Sequence, residues 1–190
     1  NITRSCFFQL RQLRSIRRSL TMEATKTLVH SLVSSRVDYC NSIFYGATNA
    51  VLQRLQSVLN AAARLITNTR KFDHITPVLR YQLHWLPIRQ RIIFKIATFV
   101  RNSLHGRGPT YLSRPCIPIS EIGARAHLRS AARRHLTTPR TRTRRFGPRS
   151  FRVSGPVVWN SLPDDIKNPE LTLERFKTGL KTHLFREAYA

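Results

Sequence analysis

The chain has 190 residues, 41% of them hydrophobic, with ten Phe, five Tyr and two Trp. That aromatic content excludes a wholly disordered basic tail, and the length suits one domain or one with a small appendage. Lys and Arg number 33 against nine Asp and Glu, a formal net charge of +24, so a folded body repels itself and favours a polyanionic partner.

Apolar residues Cys6, Leu10, Leu13, Ile16 and Leu20 recur every three to four positions, with Arg11, Arg14, Arg17 and Arg18 between them. This spacing predicts an amphipathic helix. Thr21 suits the N-cap of a second helix, with Glu23 in its first turn. That helix carries Leu28, Val29, Leu32, Val33, Tyr39, Cys40, Ile43 and Phe44 and ends at Gly46, with Tyr39 expected in the core. Asn49 opens a third helix whose buried face is Leu52, Leu55, Val58, Leu59, Ala62, Ala63 and Ile66. Small residues Ala61, Ala62 and Ala63 admit a close neighbour. Three such helices with short turns indicate a bundle.

Thr76-Pro77 reads as an N-cap followed by proline at the first helical position, starting a short helix that ends near His84. Pro87 starts a longer one with Ile88, Ile92, Ile96, Phe99 and Val100 inward and Gly106 closing it. Arg89, Arg91, Lys95 and Arg101 are expected on its exposed face. Beyond Gly106, Pro109, Pro115 and Pro118 break helices. Residues 123–135 read as a mobile loop. The Thr/Arg alternation over residues 140–145 suggests a strand or an ordered loop. Pro156 is expected to open a short helix with Val157, Val158 and Trp159. Thr172 is expected to cap a last one with Leu173, Phe176, Leu180 and Leu184 on one face. Trp85 and Trp159 have Leu and Pro neighbours and read as core packing.

The fold class is therefore mainly α. The expected organisation is a helical bundle over residues 1–70 and a helical connection over 71–106. A Pro/Arg-rich loop segment with possible short strands follows over 107–155. C-terminal helices over 156–190 are expected to pack back on the bundle. No apolar run reaches the roughly 18 residues that span a bilayer, and no signal-peptide pattern opens the chain. Cys6, Cys40 and Cys116 are widely spaced and odd in number, which fits idle thiols in a reducing compartment. The chain starts at Asn1 and its one methionine is Met22, so a fragment of a longer protein is expected.

Little in the sequence points to chemistry. Polymerases and nucleases need clustered carboxylates for metal ions, and Asp164-Asp165 is the one adjacent acidic pair. It follows Leu162-Pro163 and reads as a solvated loop or helix start. No Cys/His set has zinc spacing, and no phosphate-cradling glycine loop is present. His84, beside Trp85, is the histidine expected to be buried.

Arginine is the stronger signal. It supplies 27 of the 33 cations, and its planar fork pairs with phosphate oxygens and stacks on bases. Between Glu121 and Asp164 lie ten arginines, no lysine and no acid. Candidate nucleic-acid-binding residues are Arg11, Arg14, Arg17, Arg18, Lys26, Arg54 and Arg64, then Arg140, Arg142, Arg144, Arg145, Arg149 and Arg152. The second group either docks nucleic acid, with Phe146 or Phe151 stacking or packing nearby, or serves in part as a nuclear-import signal.

Several strings are more particular than composition explains. They include Leu28-Val29-His30-Ser31-Leu32-Val33 with Ser35-Arg36-Val37-Asp38-Tyr39-Cys40-Asn41-Ser42, and Leu52-Gln53-Arg54-Leu55-Gln56 running into Asn60-Ala61-Ala62-Ala63-Arg64-Leu65-Ile66. His74-Ile75-Thr76-Pro77-Val78-Leu79 and Leu83-His84-Trp85-Leu86-Pro87-Ile88-Arg89-Gln90-Arg91-Ile92 follow. Pro139-Arg140-Thr141-Arg142, Phe146-Gly147-Pro148-Arg149-Ser150-Phe151 and Trp159-Asn160-Ser161-Leu162-Pro163 complete the series. In this order they resemble the region after the polymerase core in reverse transcriptases of non-LTR retrotransposons, the jockey-like and chicken-repeat-like LINE elements. The resemblance covers roughly residues 2–188.

The resemblance implies that the polymerase palm, with its aspartates and Mg2+, lies upstream in the parent protein, an RNA-directed DNA polymerase. No catalytic residue or cofactor carries over to this segment. Residues 1–70 would correspond to the thumb, which grips template–primer. The remainder would help hold element RNA and target DNA during target-primed reverse transcription. The implied partners are RNA, DNA or RNA–DNA hybrid and the upstream palm, with a nuclear location and a cytoplasmic ribonucleoprotein stage. The alternatives are a protein-interaction module that meets an acidic partner and a non-functional transposon relic.

Overall fold

The structure is a computed structural model that describes residues 2–143 and 146–190. The chain is mainly helical, with α1 Ile2–Ile16, α2 Met22–Val29, α3 Ser35–Asp38, α4 Asn49–Thr67, α5 Ile88–Leu104, α6 Thr110–Ser113, α7 Arg129–Ala132, α8 Phe151–Ser161 and α9 Leu173–Tyr189. It divides into two compact units. The first takes the residues up to Asn41, Ala47–Arg91 and Ala188–Ala190; the second takes Ser42–Gly46 and Ile92–Glu187.

In the first unit the expected bundle forms. Cys6, Leu10 and Leu13 of α1 are buried, and α1 and α2 both pack against α4. Ala62 and Ala63 are fully buried on α4 beside Val58, Leu59 and Ile66, so these two small side chains lie at the helix contact as anticipated, whereas Ala61 is half-buried. Ile16 departs from the apolar pattern and is 49% exposed. Arg17–Ser19 tightens into a single 3-10 turn, which takes the end of α1 off its 3.6-residue register. Thr21 caps α2, its Oγ1 accepting from the Ala24 N–H at 3.2 Å.

The second helix is shorter than the periodicity predicts. A wider π-type turn, His30–Ser34, joins α2 to α3; α-helical structure stops at Asp38, and a short 3-10 turn, Asn41–Phe44, follows. Tyr39 is extended at φ −67° and ψ 122°, and Cys40 is left-handed at φ 52°. The Asp38 carboxylate accepts from Arg91 Nη1 at 2.7 Å and from Asn41 Nδ2 at 3.4 Å. The chain turns where these side chains meet. Tyr39 is therefore 75% exposed, not in the core, because helical spacing carries no information past the break.

The Thr76-Pro77 helix forms as a turn with π-type pairing at Val78–Gln82. His84 then adopts φ 50° and is exposed. This corrects the expectation that it is buried: the left-handed turn lets Trp85, 5% exposed, take the inward position. Tyr189 Oη donates to the Trp85 carbonyl at 2.8 Å and ties the chain end to the first unit.

In the second unit, Ile92, Ile96, Ala97 and Val100 of α5 are buried, and Gly106 ends the helix at φ 67°, where a Cβ would be strained. Arg101 is 3% exposed rather than solvated. It donates to the carbonyls of Asn168 at 3.2 Å, Pro169 at 3.3 Å and Leu171, and its guanidinium lies 5.4 Å from the Phe176 ring. The loop before α9 supplies the carbonyls that make this buried cation tolerable. Residues 123–135 hold a 3-10 turn, Gly123–Arg125, and α7 rather than one irregular loop.

Helix α8 starts at Phe151, five residues before the proline expected to open it, and Pro156 sits inside it. A Cβ at Gly155, just before the proline, would lie 3.2 Å from Val100 and 3.3 Å from Phe151, and Val153, Ser154, Gly155 and Pro156 are buried, so burial of this face outweighs the missing backbone bond. Trp159 is 2% exposed, stacks on Phe176 at 6.1 Å and donates to the Arg134 carbonyl at 3.0 Å. Asn160 pairs with Leu136 twice, accepting from its N–H at 2.7 Å and donating to its carbonyl at 2.8 Å. The Thr/Arg segment forms no strand among its described residues. Just before it, a lone antiparallel bridge joins Pro118 and Leu136. Thr172 caps α9, accepting from the Arg175 N–H at 3.3 Å. Among the described residues no helix is long and apolar enough to cross a membrane.

Candidate nucleic-acid interface

The first unit gathers part of the cationic set into one cleft. Arg14 on α1, Arg17 and Arg18 in the turn after it, and Arg64 on α4 line a cavity of about 650 Å³ together with Lys71. Ser57, Asn60, Asn68 and Thr69 complete its polar wall. The same geometry divides these cations into two kinds.

Arg17 is half-buried and engaged with the backbone. Its Nε donates to the Leu65 carbonyl at 2.9 Å, Nη2 to Ile66 at 3.0 Å and Nη1 to Leu20 at 2.8 Å. Leu65 and Ile66 lie in the last turn of α4, where carbonyls have no partner in the helix. A cation there also meets the negative end of the helix dipole. Arg64 is also half-buried, donating to the Arg70 carbonyl at 3.3 Å and the Asp73 carbonyl at 3.1 Å. Arg14, Arg18 and Lys71 are exposed, so they present their charge to the cleft.

The other residues of the first set lie elsewhere. Arg11 on α1 and Arg54 on α4 are exposed, and Lys26 on α2 is half-buried, but none lines the cleft. In the second unit Arg140, Arg142 and Arg152 are exposed. Arg149 is held by the backbone, donating to the Tyr45 carbonyl at 3.1 Å and the Ile43 carbonyl at 3.4 Å. Its Cγ would lie 3.0 Å from a Cβ at Gly46, whose φ of 65° would itself strain a larger residue there. Arg144 and Arg145 lie outside the described residues.

The two aromatic candidates separate clearly. Phe151 packs edge-on against Phe99 at 6.5 Å. Phe146 is 68% exposed, with the Arg149 guanidinium 5.9 Å from its ring, an arrangement open to a base on the free face.

Lys71 and Phe72 were not among the candidates, although Asn68-Thr69-Arg70-Lys71-Phe72-Asp73 carries a legible sign. Asn68 tolerates the left-handed C-cap it adopts, φ 56°, and a cation and an aromatic follow at the turn.

Asp164 is exposed, as a solvated loop residue should be. It pairs with buried Lys167 at 2.8 Å and with Arg133 at 3.9 Å. The hydrogen bond from Lys167 holds its carboxyl below the usual range. Among the described residues no group of three or more His, Cys, Asp or Glu side chains is placed to hold a metal ion. No protein-family model, curated protein or solved structure matches this chain.

Proposed function

We propose that this chain is a non-catalytic, nucleic-acid-gripping segment of a LINE-type reverse transcriptase, corresponding to the thumb and the region after it. In this reading it holds template–primer, as RNA or RNA–DNA hybrid, while an upstream palm performs the chemistry. The ordered series of strings that resembles those enzymes supports the identity of the parent. The observation that carries the binding reading is the cleft in which Arg14, Arg18 and Lys71 stand exposed. Acidic side chains are too few to neutralise the cations, nine against 33, so phosphates are the fitting counterions. A-form duplexes are held through backbone and shape, which calls for cations rather than base-reading side chains.

The test is fluorescence anisotropy of the whole chain on labelled RNA–DNA hybrid across a salt series. Binding should weaken steeply and linearly in log–log form, because added salt opposes the release of counterions. Replacing Arg14, Arg18 and Lys71 with alanine should lower the slope by about one for each phosphate left without its cation. Tight binding that ignores salt would refute the electrostatic basis. Equal competition by polyglutamate and by RNA would favour an acidic protein partner instead.

A further inference from the structure

Phe72 is the most exposed large hydrophobic side chain described, at 89%, yet the turn that carries it is tightly built. The Asp73 N–H donates to the Arg70 carbonyl at 3.3 Å, which places Lys71 and Phe72 at the tip. The Arg70 N–H donates to Asp73 Oδ2 at 3.0 Å. Arg64 clamps both ends through the Arg70 and Asp73 carbonyls. Thr67 and Thr69 join hydroxyls at 2.6 Å at the base of the loop. The residues that close the turn on either side of the ring, Arg70 and Asp73, are fixed by these bonds, and the ring is held out in water. Lys71 Nζ lies 5.4 Å from its centroid and also lines the cleft with Arg14 and Arg18.

We propose that the Lys71-Phe72 turn is a stacking platform for an unpaired nucleobase, with Lys71, Arg14 and Arg18 holding the phosphates of the same single strand. This rests on the nucleic-acid reading above and adds to it a place, at the edge of the same cationic cleft, for a single-stranded segment that continues from the duplex. A nucleotide has the two features that the turn offers to meet, a flat apolar face and an adjacent anion. Stacking tolerates any base, because each has a π-face. Asp73 is the one acid between Asp38 and Glu121, and its carboxylate is turned onto the Arg70 N–H, so the approach carries cations. A protein partner would find one ring with cations around it rather than an apolar patch.

The experiment compares two labelled RNA–DNA hybrids at one low salt concentration by anisotropy, using the whole chain. One is blunt and the other bears a short unpaired overhang. The wild type should bind the overhang more tightly. Phe72→Ala should weaken overhang binding about 5- to 150-fold and leave the blunt hybrid unchanged, while Phe72→Trp should retain the preference. An exposed side chain leaves the fold intact when truncated, and the blunt hybrid reports that directly. Equal binding of both hybrids by the wild type, or equal weakening on both in Phe72→Ala, would overturn this proposal alone. Failure to bind either hybrid would overturn the broader nucleic-acid reading and this one with it.

Discussion

Replacing Arg17 with methionine separates structural arginines from solvated ones. Methionine keeps much of the aliphatic stem and removes the three bonds to the Leu65, Ile66 and Leu20 carbonyls, at 2.8 to 3.0 Å. A hydrogen bond to a charged group is worth about 1.5–3 kcal/mol. Three such bonds would set an upper bound near 9 kcal/mol, roughly. Arg17 is only half-buried, so water re-solvates much of the exposed carbonyl surface and a loss of about 2–3 kcal/mol is expected. For a chain of this size each kcal/mol moves the midpoint by roughly 2–4 °C, which gives a fall of about 4–12 °C. The assay is thermal and urea unfolding followed by circular dichroism. Arg14→Met, one turn away and exposed, should stay within about 0.5 kcal/mol of the wild type. If Arg17→Met also stays within that margin, or if Arg14→Met falls as far, the assignment of Arg17 to capping α4 is wrong.

Asn160→Ala removes both bonds to the Leu136 backbone and should cost about 2–3 kcal/mol in urea unfolding, since two backbone groups lose their partner. His30, His105 and His135 all have their pKa held below the ordinary value. Burial is the main cause in each, helped by Arg91 and Lys26, by Arg101 and Arg107, and by Lys167 and Arg133 respectively. Above about pH 6.5 both folded and unfolded states are neutral at these sites. As pH falls below that, the unfolded chain takes up protons first, so the urea midpoint should drop between neutral pH and the depressed folded-state values. An unchanged midpoint over that window would contradict it. Burial pushes the Cys116 thiol up to about 11 and raises that of Cys6, whereas Cys40 is exposed. An aromatic disulfide reagent should therefore titrate one thiol in the native protein and three in denaturant.

Periodicity carried the helices whose packing is local. The stripe Leu52, Leu55, Val58, Leu59, Ala62, Ala63 and Ile66 is buried as read, because a 3.6-residue repeat encodes one face directly. Thr21 and Thr172 cap as expected because the cap interaction spans three residues of chain. The excess of arginine was equally plain, and so was the fact that few acids exist to pair with it. What sequence spacing could not decide was which arginines are spent on the fold. Arg17 reaches 48 and 49 residues along the chain to its carbonyls, Arg101 reaches 67 to 70, and Arg149 reaches 104 and 106. Tyr39 and His84 went astray for a related reason: both lie at backbone breaks stabilised by residues far along the chain, Arg91 for Tyr39 and Tyr189 for the segment after His84. Composition and periodicity determined a cationic helical protein. The tertiary structure chose which cations face water, because the carbonyls that commit Arg17, Arg101 and Arg149 converge mostly from far along the chain.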